Sequence, residues 1–152
     1  MEITTRKKEL YLTCCEYVKK REGTIMQIIA SNQKALASET KSSAGDKHET
    51  GRAMLQLEIE KASQQLEVIH NMKSTLARIK LNTTSDVVKL GSLAVTNQAS
   101  YFIAISAGEI EIDKQKYYAI SLDSPIGKLL LGKTKGDDFF FNGKAIRIQK
   151  IY

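Results

Sequence analysis

The chain has 152 residues, 42% of them hydrophobic and 26% charged, close enough to globular averages to argue against wholesale disorder and to allow one ordinary domain or two small ones. No apolar run approaches the roughly 20 residues of a membrane-spanning helix, and Met1–Leu10 is not followed by the apolar core of a secretory signal, so the expectation is a cytoplasmic protein without a membrane partner. A net charge of +6 points to an anionic partner, either nucleic acid or an acidic protein surface, although the cations are scattered along the chain.

From Arg6 to Leu36 there is no proline, and Leu10, Cys14, Tyr17, Ile25, Ile28 and Ala35 recur in steps compatible with threes and fours, the pattern of an amphipathic helix. Arg21 and Asn32 interrupt the stripe, and Gly23 weakens the helix by about 1 kcal/mol relative to alanine. Cys14 and Cys15 are adjacent, and neighbours on a helix point apart, so both are expected as reduced, partly buried thiols rather than a disulfide. With neither a CxxC spacing nor a nearby histidine, they make a poor metal site.

The second segment is better patterned. Leu55, Ile59, Ala62, Leu66, Ile69, Met72, Leu76 and Ile79 follow the spacing of a coiled-coil seam. The short polar, glycine-containing link between the two segments permits only an antiparallel return, so residues 1–81 are expected to form a coiled-coil hairpin with its tip at 42–50. Helices of about 30 residues would hold that tip roughly 45 Å from their far ends, at 1.5 Å per residue.

After Lys80 the composition changes, and residues 82–152 read as a small β-rich domain with one short helix, giving an α+β chain overall. Strands are expected at Val87-Val88, Leu93–Val95, Tyr101–Ile105 and Tyr117–Ile120. Phe139–Phe141 and Ala145–Ile148 flank Asn142-Gly143, the preferred dipeptide of a type I′ hairpin. Asp123 or Ser124 can cap a short helix that opens with Pro125 and ends at Gly132.

Asp46 and Glu49 stand three residues apart at the expected tip. On spacing alone they fit a capping box, and both charges suit the positive end of a helix dipole. Yet Gly45-Asp46-Lys47-His48-Glu49 resembles the tip of the bacterial Gre transcript-cleavage factors, in which a Gly-Asp-x-x-Glu stretch joins the two helices of an arm. Independently, Ile120 to Lys133, Ile-Ser-Leu-Asp-Ser-Pro-Ile-Gly-Lys-Leu-Leu-Leu-Gly-Lys, followed by Gly136-Asp137, is similar to the signature of that family's FKBP-like C-terminal domain. The resemblance spans nearly the whole chain.

It implies a monomeric transcription elongation factor that docks its C-terminal domain on the rim of the RNA polymerase secondary channel and inserts its arm. There Asp46 and Glu49 would help hold a Mg²⁺ shared with the polymerase and stimulate cleavage of the backtracked RNA 3′ end, making the protein an accessory factor rather than an enzyme. Two carboxylates suit that task, because Mg²⁺ prefers hard oxygen ligands and a second metal can orient the attacking water. The resemblance assigns the loop of Asp123, Ser124 and Pro125 to the polymerase-facing side.

Thr50-Gly51-Arg52-Ala53 departs from the Asn and small-acidic-aromatic run usual after the acidic pair, and Lys47 and His48 bring positive charge beside it. The alternative is therefore a channel regulator that does not stimulate cleavage. A more distant one is a peptidyl-prolyl isomerase or chaperone-like module. Lys19, Lys20, Arg21, Lys34, Lys41 and Arg52 read either as an RNA-facing surface or as a solvated helix face, His70 as exposed, and Gly132–Gly136 as a helix end plus turn.

Overall fold

A computed structural model describes the backbone of residues 2–41 and 46–152 and the side chains of residues 3–38 and 50–152. Two helices, α1 (Glu2–Lys41) and α2 (Asp46–Ala77), precede the strands β1 (Leu93–Thr96), β2 (Ser100–Ile103), β3 (Gly108–Ile112) and β4 (Gln115–Ile120). A short helix α3 (Pro125–Leu130) and the strands β5 (Asp138–Phe141) and β6 (Lys144–Ile151) complete an α+β chain. Among the described residues no helix is long and apolar enough to cross a membrane.

The chain divides into two compact units, one comprising Met1–Tyr17 with Ser74–Tyr152 and the other Val18–Lys73. The first turns of α1 and the end of α2 thus group with the sheet.

In the Val18–Lys73 unit the helices run antiparallel. The Lys73 ammonium meets Glu22 at 3.0 Å, and Asn32 Nδ2 donates to Glu58 Oε2 at 3.0 Å, so partners advance on one helix as they retreat on the other. The predicted seam of α2 holds, with Ala62 and Ile69 buried and Leu55, Ile59 and Leu66 half-buried. On α1 the buried stripe differs from the expected one. It runs through Leu10, Cys14, Val18 and Ile25, then the half-buried Ile29 and Leu36, whereas Tyr17 is half-buried and Ile28 is 41% exposed. Leu10, Cys14 and Val18 follow one another in two steps of four, one residue more than a heptad, which shifts the stripe one residue along. Asn32, an apparent flaw in the apolar pattern, proves to be a crossing hydrogen bond.

In the other unit the strands form one mixed six-stranded sheet of order β3-β4-β2-β1-β6-β5, in which only β2 and β4 run parallel. Ile103, Ile146 and Ile148 pack with Val88 and with Ile126 and Leu130 of α3, closing one face. Leu93, Phe102, Tyr117 and Ala119 are buried on the opposite face. There Arg6 of α1 donates to the Ile112 carbonyl at 3.0 Å, pairs with Asp113 at 2.9 Å and lies 5.7 Å from the Tyr117 ring.

Strand β3 lies outside the strands expected from sequence. Its Glu-Ile-Glu-Ile alternation was the available signal, but its turn is made by Asp113 and Lys114, both at positive φ (52° and 65°), instead of the glycine such a turn favours. Asn142 and Gly143, at 52° and 77°, form the expected hairpin turn. Val87-Val88 is not a strand. Val87 makes a single bridge to Thr134, and Val88 exchanges hydrogen bonds with Lys133 and Gly132 after α3, because its side chain is drawn into the core beneath that helix.

Candidate functional site

Asp46 is the first helical residue of α2 and Glu49 lies within the same first turn, so the two occupy neighbouring positions on one helical face. The capping-box reading puts Asp46 one position earlier, a difference within the usual spread of helix ends. Residues 42–45 of the expected tip, and the side chains of Lys41, Asp46, Lys47, His48 and Glu49, lie outside the described residues. Among the described residues no three His, Cys, Asp or Glu side chains cluster in a way that could hold a metal. Two carboxylates in one helical turn are hard-oxygen donors of the kind Mg²⁺ accepts.

The arm cations Lys19, Lys20, Arg21, Lys34 and Arg52 are exposed. His70 is exposed as well, with Nε2 3.9 Å from a Glu22 carboxylate already held by Lys73.

The Asp123–Pro125 loop is built more tightly than its composition suggests. Ser124, in extended conformation, is the N-cap of α3: its hydroxyl accepts from the Gly127 N–H at 3.1 Å and donates to the Ser121 carbonyl at 2.6 Å. Pro125 occupies the first helical position, where its missing N–H costs nothing. A Cβ at Gly127 would run into the Ser121 carbonyl oxygen, so the Ser121–Ser124 turn folds back against the helix only because residue 127 lacks one. Asp123 and Pro125 are left exposed on the outside of the turn. Thr134–Asp137 is likewise a turn, with Asp137 Oδ2 accepting from the Thr134 N–H at 2.7 Å, and Gly132 ends α3 at positive φ.

The cysteines are free, Cys14 buried and Cys15 half-buried. Burial, with a smaller contribution from Cys15, pushes the Cys14 thiol up to about 12, which suits an inert core thiol.

Sequence reading missed three surface or charged features. Phe140 is 76% exposed on the edge strand β5, while Phe139 and Phe141 pack toward the core; strand alternation carried that signal. Beside it Arg147 grips Asp138 through two nitrogens at 2.6 and 2.9 Å, and this hydrogen bonding holds the Asp138 carboxyl below its ordinary range. Arg6 and the buried Lys7 had no signal beyond the phase of α1, which heptad counting misplaces.

Compared with known proteins, the chain matches no family model, and no curated protein matches it in sequence.

Proposed function

We propose that this protein is a Gre-like factor that binds RNA polymerase, passes its helical hairpin into the secondary channel and stimulates cleavage of backtracked RNA. The observation that carries the reading is the antiparallel pairing of α1 with α2 through Glu22–Lys73 and Asn32–Glu58, with the acidic pair Asp46 and Glu49 in the turn that opens α2. It is supported by the Ser-Pro-Ile-Gly start of α3 on a small mixed sheet, which we read as FKBP-like and as the polymerase-docking element, with Asp123, Ser124 and Pro125 in the docking loop. Fold likeness alone carries no activity, so the tip carries the functional claim.

In this reading Asp46 and Glu49 supply carboxylate oxygens to a metal shared with the polymerase. When bound, that Mg²⁺ orients a water for in-line attack on the RNA phosphodiester. The chain's own contribution is to bring two carboxylates to the site on a helical support, at the positive end of the α2 dipole.

Arrested transcription complexes given the protein should release short RNA 3′ segments. Asp46→Asn and Glu49→Gln should each reduce that release by at least about tenfold, as expected for loss of a metal-positioning group. Unchanged cleavage in both variants would overturn the tip assignment. The second reading, a regulator that occupies the channel without cleavage, is favoured by Lys47, His48 and Arg52 around the acidic pair. It predicts polymerase binding and altered transcription with RNA length unchanged.

A further inference from the structure

Strand β5 ends the sheet on one side, with β6 as its single neighbouring strand among the described residues. Three hydrogen bonds fix which of its main-chain groups face outward. The Arg147 N–H donates to Asn97 Oδ1 at 2.8 Å, the Asn97 N–H to the Arg147 carbonyl at 3.2 Å, and Asn97 Nδ2 to the Ala145 carbonyl at 3.2 Å. Arg147 and Ala145 of β6 thus turn these groups toward Asn97, which follows β1, and away from β5. Their register partners are Asp138 and Phe140. Opposed residues of an antiparallel ladder either exchange hydrogen bonds or both turn away, so Asp138 and Phe140 direct their N–H and C=O groups to the free edge.

Phe140 gives that edge an apolar feature. It is 76% exposed, on the sheet face that carries the Asp138–Arg147 pair, beside a cleft of about 490 Å³ lined in part by Asn97, Ala145 and Arg147. The opposite edge strand, β3, exposes Glu109 and Glu111, and charges on an edge discourage strand addition. On β5 the one charge, Asp138, is already held by Arg147 through two hydrogen bonds. Residues 133–150 carry five cations against two carboxylates, Asp137 and Asp138, which are engaged with Thr134 and Arg147. Lys135 precedes β5 and Lys144 stands opposite Phe141 at its far end; both are exposed, with no acidic partner among the described residues.

We propose that the free edge of β5 takes an extended acidic segment of a partner protein as an added strand, with an apolar side chain of that segment seated against Phe140. An added strand draws affinity from main-chain bonds and selectivity from its alternate side chains. Asp138 and Phe140 each offer it one donor and one acceptor. The cations at the two ends of β5 favour acidic side chains in the incoming segment. A second copy is the poorer occupant, because a chain of net charge +6 brings the same cations to the same edge. This site is independent of the acidic tip and goes beyond the proposed polymerase function.

The probe is a fluorescein-labelled peptide of alternating glutamate and valine, titrated with the full chain and followed by anisotropy, with amide NMR spectra of the labelled protein recorded in parallel. Saturable binding should come with shifts at the Asp138 and Phe140 amides. Phe140→Ser, which leaves the core intact and should keep the unfolding midpoint, should weaken binding about tenfold or more. N-methylation of the peptide backbone removes its donors, keeps its charge and should weaken binding as much. A lysine-valine peptide should bind at least about tenfold more weakly than the acidic one. No binding of the acidic peptide, equal binding of the lysine-valine peptide, or an affinity unchanged by Phe140→Ser and by N-methylation overturns the proposal. So does a dimer in sedimentation that Phe140→Ser dissolves, because the edge then belongs to a second copy.

Discussion

Among the described glycines Gly127 has the sharpest requirement, because the Ser121 carbonyl occupies the space a side chain needs and the Ser124 cap depends on that turn. Gly127→Ala should destabilise the protein by roughly 2–3 kcal/mol, read as a lower denaturant midpoint at unchanged slope. Lys7 has a different signature. Its folded pKa lies below the ordinary 10.5, so between those two values the unfolded chain binds more protons and stability rises with pH. Cys14 acts in the opposite sense above pH 9, since its thiol titrates near 12 in the fold. Comparing wild type with Lys7→Met isolates the lysine: the variant should be the more stable near neutral pH, and its advantage should shrink as pH climbs toward 10.5. Asp123 and Ser124 could be named from sequence as capping candidates, but which of them caps was decided by the fit of the turn onto α3.

Among the elements, α2 was legible almost residue by residue because its heptad spacing matches the face it buries. The face of α1 was misread between Cys14 and Ile25, where a heptad count leads to Tyr17 and Arg21 while the buried stripe continues through Val18. Gly23 lies in α1 with open space for 4 Å around the point where a side-chain methyl would sit, so only intrinsic helix propensity acts there. Gly23→Ala should therefore stabilise the protein by about 1 kcal/mol, measured by chemical denaturation, with no change in the fold. In the sheet, β5 and β6 were announced by Asn142-Gly143, whereas β3 was hidden by a turn whose positive-φ residues are not glycine. Arg6 bonds to Ile112 at the end of β3 and to Asp113 in that turn, which links the start of α1 to the β3–β4 hairpin.

At the scale of the whole chain, residues 1–17 belong with the sheet, and Leu10 and Cys14 are completely buried. A fragment of residues 82–152 lacks Arg6, Leu10 and Cys14 and exposes apolar surface that the full chain covers. It should melt at a clearly lower temperature than the full chain, or unfold without a cooperative transition, by circular dichroism. The sequence by itself determined an α+β chain, two long helices, the α2 seam, the capped α3 and the Asn-Gly hairpin, because each rests on contacts within a few residues. Only the tertiary structure decided the phase of α1, the existence and pairing of β3, the outward turn of Phe140 and the burial of Lys7. Those depend on which surfaces distant segments bury together, and local spacing does not encode that.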